Sequence, residues 1–141
     1  MTEAKKMTAE HKLKHLILLR AVEMKYIEPL TEEVTAENVD ELFEANNQDW
    51  ELQDPKNELR GGQHETDVPV EYQGRGLSYY ESRSVAMQYL DGSWIGWTYW
   101  YGGGKHAEPE AIDWIEAAYD LEVTEEPRTI IHRTFTKVEP A

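Results

Sequence analysis

The 141-residue chain has no cysteine. That excludes a disulfide framework, a thiolate metal site and a cysteine nucleophile, and a reducing compartment is the simplest expectation. Long apolar runs are also missing. The longest, Leu16 to Leu19, is far too short to cross a bilayer and lies between Lys12, Lys14 and Arg20. A secretory signal is not expected either, because Glu10, His11 and Lys14 interrupt the start. Positive charge is scarce: 14 Lys and Arg stand against 28 Asp and Glu, for a net charge of -14. That balance disfavours direct contact with nucleic acid or an anionic membrane, both of which need clustered bases. The composition therefore points to a cytoplasmic protein whose natural complement is a basic partner.

What the chain does have is enough apolar material, 40% hydrophobic residues including 5 Trp and 8 Tyr, to fold around one core as a single domain over 1–141. Its charge is uneven. Residues 1–26 carry six Lys and Arg against three Glu, residues 31–58 carry ten acids against Lys56, and residues 107–126 carry eight acids and no base. A solvated surface explains much of this, and a surface built to attract a positive partner is the sharper reading.

Thr8 is placed to cap a helix from about Ala9 to Tyr26, with Leu13, Leu16, Ile17, Leu19 and Val22 as its apolar stripe and Pro29 as its stop. Thr35 caps a second helix, in which Glu37, Asp40 and Glu41 suit the positive end of the dipole and Val39, Leu42 and Phe43 are the buried side. From about 48 to 76 the periodicity fails among Pro55, Gly61, Gly62, Pro69, Gly74 and Gly76, which predicts a long loop with at most one short strand. Alternation at Val85, Met87 and Tyr89, a two-residue Asp91-Gly92 turn and a return strand from Ser93 to Tyr101 predict a hairpin over about 79–101. After Gly102-Gly103-Gly104, Pro109 opens a predicted third helix carrying Ile112, Ile115, Ala118 and Tyr119. The β-branched stretch 128–138 predicts a C-terminal strand. The order implies an α+β fold, a small antiparallel sheet with helices packed on one face.

The densest feature is the strand Trp94-Ile95-Gly96-Trp97-Thr98-Tyr99-Trp100-Tyr101, which puts aromatic rings on both faces. A central strand buried on both sides is the plainer reading. The functional one is a partly covered face on which Trp94, Trp97, Tyr99 and Trp100 anchor a protein partner. Gly102 to His106 between a strand and a helix has the outline of an anion loop, with Gly103, Gly104, Lys105 and His106 as ligand-binding residues. It lacks the phosphate-loop spacing, and a flexible connection explains it more simply. A small enzyme or nucleotide-binding protein using that loop is the alternative function, and a homo-oligomeric structural subunit is another. His11 and His15 share a helix face without a third ligand, so no metal or other cofactor is expected. No catalytic motif stands out, and the expectation is binding in place of catalysis.

The stretch from Trp94 through Gly102-Gly103-Gly104-Lys105-His106-Ala107-Glu108-Pro109-Glu110 to Trp114 resembles short acidic proteins encoded by bacteriophages and other mobile elements, over about residues 80–121. The resemblance implies an origin and no mechanism. An acidic accessory protein of that source looks like a counter-defence factor, a DNA mimic that binds and inhibits a basic, nucleic-acid-binding host protein in the host cytoplasm. The residues it would use are Glu32, Glu33, Glu37, Asp40, Glu41 and Glu44 on the second helix and Asp113, Glu116 and Asp120 on the third. Carboxylates three or four residues apart on a helix lie about 5–6 Å from each other, close to phosphate spacing.

Overall fold

The computed structural model describes residues 6–70, 80–105 and 107–139. Helix α1 spans Ala9–Glu23. Its capping box is made by Thr8, whose Oγ1 accepts from the His11 amide at 3.1 Å, and by His11, whose Nδ1 accepts from the Thr8 amide at 3.1 Å. The helix ends earlier than Tyr26. Lys25 adopts a left-handed φ of 65°, and its amide and that of Tyr26 close back on the carbonyls of Val22 and Ala21. This Schellman-type end stops the helix before Pro29 is reached. Helix α2, Val39–Asn46, has Asn38 at its N-cap and starts three residues later than a Thr35 cap predicts; Thr35 instead exchanges hydrogen bonds with Asn38 around a turn over 36–38.

The stretch predicted as loop contains two elements. Helix α3 spans Gln53–Leu59 and strand β1 spans His64–Thr66. Pro55 lies in the first turn of α3, where a missing amide costs nothing. The hairpin is present as β2, Tyr80–Gln88, and β3, Trp94–Gly102, in a register that sets Val85 opposite Trp97 and Ala86 opposite Gly96. Tyr79 lies outside the described residues. The turn is one residue longer than predicted. Tyr89 pairs with Ser93 across Leu90-Asp91-Gly92, and Gly92, at φ 90°, takes the left-handed position of a bulged three-residue loop.

Two other expectations are corrected. The third helix is only a 3-10 turn, Pro109–Ala111; Ile112 is already extended, and Tyr119–Leu121 forms strand β4 against Trp94–Gly96. Residues 128–138 form no strand; their backbone pairs with nothing among the described residues, and their side chains are exposed. The sheet is antiparallel in the order β1-β2-β3-β4, completed by β1 and β4 in place of the C-terminal segment. The α+β class with helices on one sheet face holds.

The core explains why α1 carries apolar residues around so wide an arc. It packs against the sheet on one side and against α2 and α3 on the other. Leu13, Ile17, Leu18 and Ala21 meet Val85, Ile95 and Trp97 from the sheet, with Phe43, Leu52, Trp114 and Ile115 closing the cluster. On the opposite sheet face Gly96 has no room for a side chain: a Cβ there would lie 2.8 Å from side-chain atoms of both Tyr119 and Leu121. Among the described residues no helix is long and apolar enough to cross a membrane.

Candidate functional site

The aromatic strand is first of all structural. Trp97 is fully buried and Trp100 nearly so, while Trp94 and Tyr99 are half-buried. Trp97 packs obliquely on Trp114, ring centroids 5.6 Å apart, and donates its indole N–H to the Arg60 carbonyl at 2.7 Å. Tyr99 stacks on Tyr101 at 5.3 Å and lies under the Arg60 guanidinium, and Arg83 covers Tyr101. Of the four predicted anchors, Trp94, tilted against His64 at 5.5 Å, and Tyr99 keep surface that a partner could touch, as does Tyr101 beside them.

The predicted acidic ladders are rearranged. Asp40 faces α1, where Oδ1 accepts from Lys14 Nζ at 2.9 Å and Oδ2 lies 3.4 Å from His11 Nε2. The hydrogen bond from Lys14 leads the forces that hold the Asp40 carboxyl below its ordinary pKa, against the opposing effect of burial. For Lys14, burial is the largest influence and works downward, but Asp40 and Glu10 outweigh it and the pKa rises. Asp40 is therefore a tether between α1 and α2. Asp120, on β4, lies 3.8 Å from Lys12. Arg20 pairs with Glu23 and Glu58. Much of the first helix's positive charge is thus answered within the chain. Glu37 is exposed in the turn before α2, and Glu41 and Glu44 are exposed on it. Asp113, Glu116 and Asp120 share no helix: Asp113 lines a cavity with Val68, Trp100 and Tyr119, whereas Glu116 is exposed and acts electrostatically on Lys14 and Lys56.

The glycine loop loses the helix its anion reading required. Gly102, Gly103 and Gly104 have φ of 73°, 88° and 94°, and a Cβ at Gly103 would lie 2.7 Å from both Ala107 and Tyr80, so these residues serve a tight reversal. Lys105 is exposed, a three-residue 3-10 turn follows, and His106 lies outside the described residues. His11 and His15 take separate partners. His11 serves the α1 cap, while His15 Nδ1 meets the Tyr89 hydroxyl at 2.5 Å, and burial lowers the His15 pKa.

What the fold assembles instead is an acidic cleft of about 540 Å³ between α3 and the segment that follows the glycines. Asp49, Glu108 and Glu110 supply carboxylates, Asn47, Gln53 and Asn57 supply amides, and Trp50 and Trp114 supply aromatic surface. Trp50 is 79% exposed. Lys56, the cation of this cleft, lies 5.3 Å above the Phe43 ring and 3.4 Å from Asn47 Oδ1. Burial leads in lowering its pKa, opposed by Glu116 and Glu44. An open indole beside several carboxylates can receive a guanidinium or ammonium group: the ring face attracts the cation, the carboxylates pair with it, and the amides orient its neighbours. Trp50 falls in the stretch whose sequence predicts a loop. Its signal was a large aromatic in the polar stretch Asn46-Asn47-Gln48-Asp49-Trp50-Glu51, where no core periodicity calls for one. Compared with protein-family models, curated proteins and solved structures, the chain matches none.

Proposed function

We propose that this chain is a binding protein that captures a basic segment of a protein partner in the cleft around Trp50. The observation that carries the reading is the exposure of Trp50 at the mouth of a cleft bearing Asp49, Glu108 and Glu110. Burying so large a ring is the usual outcome of folding, and an exposed indole is the residue type that most often anchors an interface. Adjacent carboxylates select a partner side chain that carries positive charge. The net charge of -14 extends this selectivity by steering basic partners toward the molecule. The partner proposed is a basic, nucleic-acid-binding host protein, and the role is that of a phage or mobile-element accessory factor that occupies its phosphate-binding surface. Glu41, Glu44 and Glu37 on and before α2 widen the acidic surface, and Tyr99 is a secondary contact.

The test is capture of host proteins by a tagged chain at low and high salt, with Trp50→Ala and the pair Glu108→Lys/Glu110→Lys alongside. A basic nucleic-acid-binding protein should be retained at low salt, released at high salt, and lost by both variants. A partner kept equally by the wild type and both variants would remove this cleft from the account.

A further inference from the structure

Residues 128–138 combine three properties. They are rich in β-branched residues, at Thr129, Ile130, Ile131, Thr134, Thr136 and Val138, yet their backbone forms no ladder. Ile130, Ile131, Phe135 and Val138 are between 70% and 88% exposed. Arg128 pairs with Glu126 at 3.7 Å, whereas Arg133 and Lys137 have no acid between them or beside them within the segment, which follows a stretch of eight acids without a base. Along an extended backbone, Ile131, Arg133, Phe135 and Lys137 fall on one face, alternating apolar and basic. Such a strand needs a surface that alternates apolar and acidic.

That surface is present on the helix-free side of the sheet. A groove of about 580 Å³ runs between β1 and the residues that follow β4; Val68, Ala86, Trp94, Leu121 and Val123 give it apolar walls, and Asp67, Glu122 and Glu125 give it acidic ones. The segment cannot readily fill the groove of its own chain. Only Glu126 and Pro127 separate Glu125, part of the lining, from Arg128, and a residue before proline is held extended. The chain is therefore carried away from the groove where a reversal would be needed.

We propose that two copies of this chain exchange these segments, each inserting residues 128–138 into the groove of the other. Ile131 and Phe135 lie on the apolar walls beside Trp94 and Val123, and Arg133 and Lys137 meet Asp67, Glu122 and Glu125. Because each segment departs from the rim of its own groove, the exchange is self-complementary and closes as a two-fold dimer. This inference does not depend on the Trp50 cleft, which lies on a different lining set.

Sedimentation of the full chain over a range of concentrations is the first measurement. A monomer–dimer equilibrium is expected, and Ile131→Asp/Phe135→Asp should reduce it to monomer without altering circular dichroism, since neither side chain touches the core. Connectivity is then read in the cysteine-free background. Val123→Cys chains mixed with Thr134→Cys chains of distinguishable mass should give mixed cross-linked pairs with a bifunctional thiol reagent. A wild type that stays monomeric at every concentration overturns the proposal. So does a dimer that survives the double aspartate variant, or a Val123→Cys/Thr134→Cys chain that links only within itself.

Discussion

Arg60 is tied to β3 in both directions: its carbonyl accepts the Trp97 indole N–H at 2.7 Å, and its guanidinium Nη1 donates to the Trp100 carbonyl at 2.6 Å. The pair locks the end of α3 to the middle of the sheet, and it also positions the chain that leaves α3 for β1. Trp97→Phe keeps most of the packing but strips the Arg60 carbonyl of its partner, which should cost about 1–3 kcal/mol. Trp97→Ala adds a large cavity and should cost about 3–5 kcal/mol. Denaturant melts of the two variants should fall in that order; equal losses would mean that the packing of the ring contributes nothing beyond the hydrogen bond.

Gly96 is the second position where the sheet has no slack. Its register partner Tyr119 and the neighbouring Leu121 fill the space a side chain would need. Gly96→Ala must displace β4, and overpacking of this kind costs about 1–3 kcal/mol. Because β4 also sets the wall of the groove at Leu121, the substitution should alter the fluorescence of Trp94 along with the melting temperature. An unchanged melt would show that β4 is held more loosely than its pairing implies.

The elements that were legible in the sequence are those whose residues report their own surroundings. Thr8 with a wide apolar arc, and Val85, Met87 and Tyr89 in alternation, state α1 and the hairpin without reference to the rest of the chain. Elsewhere the local pattern was ambiguous. Pro55 reads as a breaker unless it is known to fall in a first turn. Ile112, Ile115, Ala118 and Tyr119 have helical spacing, but Ile112 is extended with ψ of 132°, and the chain proceeds to pair with Trp94–Gly96. The β-branched run 128–138 is strand-like in composition, and strand propensity expresses itself only beside a neighbour. The Trp50 cleft could not be read at all, since Asp49 and Glu108 are brought together only by the packing of α3 beside the segment after the glycines.

Acid should weaken the fold in two windows. Burial lowers the His15 pKa below 6.5, so the unfolded chain takes up that proton first. The associated stability is complete above about pH 6.5 and declines as pH falls through the folded value. Asp40, held below 3.8 by Lys14, contributes stability that persists above that value and is lost as pH falls further, through its own folded pKa. Melting temperatures measured from pH 8 to pH 2 should therefore fall in two stages. His15→Gln, which keeps a polar partner for Tyr89, should flatten the upper one alone. Asp40→Asn should flatten the lower one alone, and a His15→Gln profile identical to wild type would detach His15 from the upper stage.

Charge reversals should sort the acids into those that hold the fold and those that face a partner. Asp40 is bound to Lys14 and adjoins His11, so Asp40→Lys sets like charges against α1 and should lower the melting temperature whatever it does to binding. Glu108 and Glu110 lie in exposed positions on the cleft, and Trp50 leaves most of its ring in water. Their substitution should leave the melt within about 0.5 kcal/mol of wild type, as for surface positions in general. Affinity should respond in the opposite pattern. Against an arginine-rich peptide followed by Trp fluorescence, Trp50→Ala and Glu108→Lys/Glu110→Lys should each weaken binding at least tenfold, equivalent to about 1.4 kcal/mol. The wild-type affinity itself should fall as salt is raised, because the attraction acts between exposed charges. If Asp40→Lys weakened the peptide more than the cleft substitutions did while the fold stayed intact, the binding surface would have to be moved from the Trp50 cleft to the exposed side of α2, where Glu41 and Glu44 lie.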